Sequence, residues 1–167
     1  IRRKGQEFTA QQMGEHANRL ANALIAQGMK PGDGVANLLP SSPMYEFSFE
    51  AESLAGAVDT SPDIFYSPLQ MATRMIPYGV KAVIMLDTQR EKVEAVLDME
   101  RQLREAIERW AELGEGQPKA AARQELEQRL KPFGRTVEQM HEIFQRTEGL
   151  KLAIVTSVDD FIGEEST

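Results

Sequence analysis

No cysteine occurs in the 167 residues of this chain. That excludes a disulfide scaffold, a thiolate zinc site and a cysteine nucleophile, and it makes a reducing compartment the default expectation. No apolar run approaches the roughly 20 residues of a membrane span. The basic start, Arg2-Arg3-Lys4, leads into polar Gly5-Gln6-Glu7 rather than the apolar core of a signal peptide. Positive charge is scarce: 19 Lys and Arg against 26 Asp and Glu leave a formal net charge of −7. A nucleic-acid partner needs a clustered basic face, so the balance argues against one. What is present, 41% hydrophobic, 7% aromatic and 27% charged residues, suits one globular domain large enough to bury a core. The chain opens on Ile1, not Met, and is expected to be a piece of something longer.

Helix signals alternate with short apolar runs. Thr9 followed by Gln12 has capping-box spacing, and Met13, Ala17, Leu20, Ala21 and Leu24 then form one helical face, closed by Gly28. Val35-Ala36-Asn37-Leu38-Leu39 reads as a buried strand. Ser42-Pro43 starts a second helix, expected to end near Ala55-Gly56. A weak strand begins at Ala57-Val58, where Asp59 and Pro62 interrupt it. Ser67-Pro68 with Gln70 starts a third helix, which carries Met71 and Met75 inward and stops at Pro77 and Gly79. Ala82–Leu86 is the clearest strand, Asp87 or Thr88 is expected to cap a helix through Leu97, and Leu152–Thr156 is a further strand. The order predicts an α/β fold, with a largely parallel sheet covered by helices on both faces.

Residues 98–149 differ. They hold close to half of the charged residues in under a third of the chain, and Ile107, Val137 and Ile143 are their only Val or Ile. Met99, Leu103, Ala106, Trp110 and Leu113 step by four and three like a heptad seam. Glu100/Arg104, Glu105/Arg109, Glu125/Arg129 and Glu127/Lys131 are helix-supporting pairs. Ala122, Leu126 and Leu130 form a second stripe, and Val137, Met140 and Phe144 a third. The expected organisation is an α/β unit of residues 1–97 and 150–167 with a charged helical insertion at 98–149.

Several stretches resemble the N-terminal part of the adenylate-forming (AMP-binding) enzymes, most of all the fatty-acid–CoA ligases or acyl-CoA synthetases. They are His16-Ala17-Asn18-Arg19-Leu20-Ala21-Asn22-Ala23-Leu24, Gly28-Met29-Lys30-Pro31-Gly32-Asp33, Pro40-Ser41-Ser42-Pro43, Ala55-Gly56-Ala57-Val58, Ser67-Pro68-Leu69, Val80-Lys81-Ala82-Val83-Ile84 and Leu150–Thr156. The resemblance covers about residues 8–97 and 150–162. It implies a parallel α/β subdomain and, for a full-length member, ATP, magnesium and CoA acting with a fatty acid through an acyl-adenylate. The family cradles phosphates on a Ser/Thr/Gly-rich loop ending in Lys, because backbone N–H groups must approach the oxygens closely. No Thr-Ser-Gly-Thr-Thr-Gly stretch and no Walker-type Gly…Gly-Lys-Ser/Thr run occurs here. No catalytic, cofactor-binding or metal-binding residue of the family therefore falls on a position of this chain, and the chain alone is expected to be inactive.

The remaining candidates have plainer readings. His16 lies beside the apolar face of the first helix and reads as a boundary residue. Glu138, His141 and Glu142 share a helix face that reads as solvated. Asp59, Asp87 and Asp159-Asp160 follow strands, where α/β folds place functional groups, but such acids also serve turns. Ser41-Ser42 has no Gly-x-Ser-x-Gly elbow and reads as a cap. Three functions are distinguished. The first is the scaffold of an acid–CoA ligase, cytoplasmic or peripheral to a membrane. The second is a non-catalytic module whose helices at 98–149 bind a partner or a second copy through an exposed seam including Leu103 and Trp110. The third, a free-standing nucleotide-binding domain, lacks a glycine-rich strand-to-helix turn.

Overall fold

The computed structural model describes residues 2–3 and 6–156. A short antiparallel ribbon, β1 (Arg2–Arg3) and β2 (Gln6–Glu7), precedes α1 (Ala10–Ala26), β3 (Gly34–Leu38), α2 (Pro43–Leu54), β4 (Val58–Asp59), α3 (Pro68–Met75) and β5 (Val80–Leu86). Then come α4 (Arg90–Glu112), α5 (Gln117–Leu130), α6 (Val137–Arg146) and β6 (Leu152–Thr156). Reciprocal capping boxes start α1 at Thr9/Gln12, α3 at Ser67/Gln70 and α6 at Thr136/Gln139. Ser42 caps α2 ahead of Pro43. These helices begin where a hydroxyl can take a free N–H.

The main sheet has the order β4-β3-β5-β6, and each of its pairs is parallel. All five residues of β3 are buried, as a strand covered on both faces requires. Val35 faces the layer of α1 and α2, where it meets Ala17, Leu24 and Ala51. Ala36 and Leu38 face the other layer and join Met71, Val96 and Met140. The helices at 98–149 are thus part of the second core.

The helix after β5 departs from expectation in its length, its start and its buried face. It does not end at Leu97: α4 runs on to Glu112 with no Gly or Pro between Asp87 and Leu113 to stop it. Its start is a tight 3-10 turn at Asp87–Gln89, with no side-chain cap from Asp87 or Thr88. Its buried residues are Val93, Val96, Leu103 and Ile107, whereas Leu113 is exposed. A straight helix repeats every 3.6 residues, so its inward stripe drifts off the 3.5-residue seam read from the sequence. Leu103 is buried against the core instead of exposed for a partner, and Trp110 is half-buried. Glu100 and Arg104 do pair, at 3.0 Å, but Glu127 pairs with Arg123 at 2.9 Å.

Candidate functional site

β3 leads through α2 to β4 on one side, and β4 leads through α3 back past β3 to β5 on the other. In open parallel sheets such a reversal opens a crevice outside the carboxyl ends of the strands, where ligands collect. The segments delivered to that edge are 39–42, 60–62 and 87–89.

Ser42 Oγ accepts the Tyr45 N–H at 3.2 Å, so the hydroxyl at this turn serves the helix. Leu39-Pro40-Ser41 supplies no glycine to let backbone N–H groups close around a phosphate. Asp87 Oδ1 takes the Thr88 N–H at 2.8 Å. Asp59 Oδ1 takes the Ser61 N–H at 2.8 Å and the Ser61 hydroxyl. Asp59, the last residue of β4, and Asp87 are both exposed, and their carboxylates serve the turns that follow. Beside β4 the edge opens into a cleft of about 440 Å³. Asp59, Thr60 and Ser61 form one wall, and Tyr66, Arg74 and Tyr78 line it too. Ser61 Oγ accepts the Asn37 N–H at 2.7 Å, and Thr60 Oγ1 donates to Val35 O at 3.1 Å, so this wall hangs on β3.

Below the wall lies a polar cluster that sequence reading missed. Asn37, Ser48 and Glu52 are each at most 2% exposed, in the layer between β3 and α2. Asn37 Nδ2 donates to Ser48 Oγ at 2.6 Å, and Ser48 Oγ donates to Tyr45 O at 2.9 Å. Burial pushes the Glu52 carboxyl up to about 8, the negative charge of Asp59 adds to the rise, and the Asn37 amide opposes it. Burial also raises the Tyr45 hydroxyl above its usual range, reinforced by Asp59, Glu52 and Glu46. The signal in the sequence was a polar residue inside an apolar strand, Asn37, facing a helix with Ser48 and Glu52 four apart.

The other candidates are dispersed. The His16 ring stacks on Phe47 at 5.3 Å and meets Phe8 edge-on at 6.2 Å, a packing role. Glu138 pairs with Arg123 at 3.1 Å, Glu142 pairs with Arg146, and His141 lies edge-on to Trp110 at 6.2 Å. Among the described residues no group of three His, Cys, Asp or Glu could hold a metal ion. Asp159-Asp160 lies outside the described residues. No helix of the described residues is long and apolar enough to cross a membrane.

The AMP-binding enzyme family matches residues 1–147. The chain is 35% identical over 81 residues to the acetyl-coenzyme A synthetase of Rhodobacter capsulatus, covering 48% of this chain and 12% of that protein. It is 29% identical over 90 residues to 4-coumarate–CoA ligase 1 of Petroselinum crispum, covering 54% and 16%. The fold is similar to the Mycobacterium tuberculosis fatty acyl CoA synthetase, with a TM-score of 0.51 at 28% identity over 55% of this chain and 18% of that one. The chain thus spans 12% and 16% of the length of those two curated relatives.

Proposed function

Because this chain belongs to the AMP-binding enzyme family, we propose that it is the N-terminal scaffold of an ATP-dependent, AMP-forming acid–CoA ligase. The observation that carries this reading is the family match across residues 1–147, on a parallel sheet whose reversal lies between β3 and β5. The substrate we propose is a fatty acid, joined first to AMP and then to CoA. The similarity to the fatty acyl CoA synthetase supports that choice, and acetate and 4-coumarate, in the names of the curated relatives, are the alternatives the test separates. A cytoplasmic setting belongs to the same reading and suits a chain without cysteine.

Among the described residues, the two turns at the crevice do not fit ATP or magnesium. The turn after β3 has a proline and no glycine, and its N-cap hydroxyl is committed to Tyr45. The turn after β5 is a 3-10 turn without glycine, and no metal-ligand cluster occurs among the described residues. In this reading the chain supplies the sheet and two helical layers, and residues elsewhere in the protein supply the chemistry. Residues 98–149 are an insertion in the connection between β5 and β6, since adjacent parallel strands need only one crossover helix.

The test is acid-dependent exchange of pyrophosphate into ATP, measured on this chain alone and on the reading frame extended past Thr167. The chain alone is expected to show none. The extended protein should exchange with fatty acids and be weaker with acetate and 4-coumarate. Exchange with no acid at all from the extended protein would overturn the ligase reading, and a preference for acetate or 4-coumarate would overturn the fatty-acid assignment.

A further inference from the structure

The contact between α2 and β3 has too many acceptors for its donors. Glu52 is 1% exposed and Asn37 2% exposed. Neither carboxyl oxygen of Glu52 has a hydrogen-bond partner, and Asn37 Oδ1 has none. The nearby donors are nearly spent: one Asn37 Nδ2 N–H goes to Ser48 Oγ, the Ser48 hydroxyl to Tyr45 O and the Asn37 backbone N–H to Ser61 Oγ, which leaves a single Asn37 amide N–H for three unpartnered acceptors. A bare carboxylate left there would lose its hydration with one Asn37 amide N–H as its compensation. A proton on Glu52 removes the charge and turns one surplus acceptor into the missing donor, opposite Asn37.

We propose that the neutral carboxyl of Glu52 is a clasp, bridging α2 to Asn37 of β3, and that removal of its proton releases the 59–61 wall of the cleft. Burial and the neighbouring acids favour the proton, and the Asn37 amide alone opposes it. Asp59 approaches from β4, and Tyr45 and Glu46 belong to α2 itself. β3 offers only neutral side chains, and α1 meets α2 through His16, which stacks on Phe47. Among the described residues no cation is paired with Glu52. Ionisation would place a second negative charge beside Asp59. Asp59 holds Ser61, and Ser61 is tied by its hydroxyl to the backbone of Asn37. The repulsion therefore acts on the wall that faces Tyr66, Arg74 and Tyr78 across the cleft.

Carboxyl-carbon NMR of the wild-type chain tests the clasp directly, with amide hydrogen exchange at pH 6 and 9.5 reporting on the wall. The Glu52 carbon should titrate near pH 8, apart from the other glutamates. Protection of the Asn37 and Ser61 amides, corrected for intrinsic exchange, should fall about tenfold or more between the two pH values. E52Q should keep its protection at both. A Glu52 carbon that titrates with the ordinary glutamates overturns the proposal, and so does an E52Q protein whose wall loosens as the wild type does. If E52Q does not fold, the wild-type carbon titration, assigned through contacts of Glu52 with α2 and β3, decides the matter alone.

Discussion

Asp33 shows how one residue ties distant segments. Lys81 Nζ, on β5, donates to Asp33 Oδ2 at 2.7 Å and to Gly28 O at 2.6 Å, so it holds the end of α1 and the turn before β3 to the sheet. Burial acts to raise the Asp33 carboxyl. The hydrogen bonds from Lys81 and from the Lys30 N–H, with the charges of both lysines, outweigh burial and hold it below the usual carboxylate range. A depressed acid adds stability above its unfolded pKa and loses it as the pH falls through its folded value. Asp33→Asn is expected to cost about 1–2 kcal/mol at pH 7, with the difference from wild type closing in strong acid. Urea unfolding at pH 7 and about pH 2.5 checks both. Gly79 is a second case: its φ is +61°, and an added Cβ would collide with the Thr147 methyl. Gly79→Ala should lose about 2 kcal/mol or more, read from the urea midpoint. Pro77 and Gly79 were legible as a helix stop, but the pressure from Thr147 was not, because it comes from the end of α6. Glu52 was hidden for the same reason. Nothing local marks an acid as buried; only the facing strand does.

At the scale of elements, start signals were more legible than lengths. Thr9, Ser42 and Ser67, each read from the sequence as a helix start, have an observed N-cap hydrogen bond, because capping needs only a hydroxyl and the next turn. The sequence predicts an end to α4 near Leu97 because its charged surface changes character at residue 98, while its buried stripe continues to Ile107. One residue of α4 finishes a neighbouring helix. Arg104 donates to Phe144 O at 2.8 Å and Thr147 O at 3.1 Å at the end of α6, and its guanidinium lies 4.4 Å from the centre of the Phe144 ring. Those carbonyls have no partner within their own helix, so Arg104 acts as their cap. Arg104→Met would keep the packing, orphan the carbonyls and leave half-buried Glu100 unpaired. The expected cost is about 2–3 kcal/mol. Amide exchange should show α6 loosening before α1 and α2. Loss spread evenly over both layers would mean that the cap is not what holds α6.

For the molecule as a whole, the α/β class and the family were legible because alternating signals and ordered motifs survive without knowledge of contacts. The site was legible only as an edge. The segments that reach it could be ordered along the chain, but the β4-β3-β5-β6 arrangement that forms its crevice comes from strand pairing. That pairing also carries a kinetic consequence. β5 and β6 are partners in space, with Ala82 against Leu152 and Leu86 against Thr156, yet α4, α5 and α6 lie between them in the chain. Closing so long a loop before any strand contact forms is entropically unfavourable, and distant pairings slow folding. The three helices can shorten that search by docking first on α3 and bringing Leu152 back to the sheet. Refolding should then slow when Ile107 or Met140 is cut to Ala, whereas Ile154→Val in β6 should mainly speed unfolding, as paired stopped-flow chevrons would show. The helical segment that looks like an interruption of the sheet would then be the guide by which its last strand finds its place.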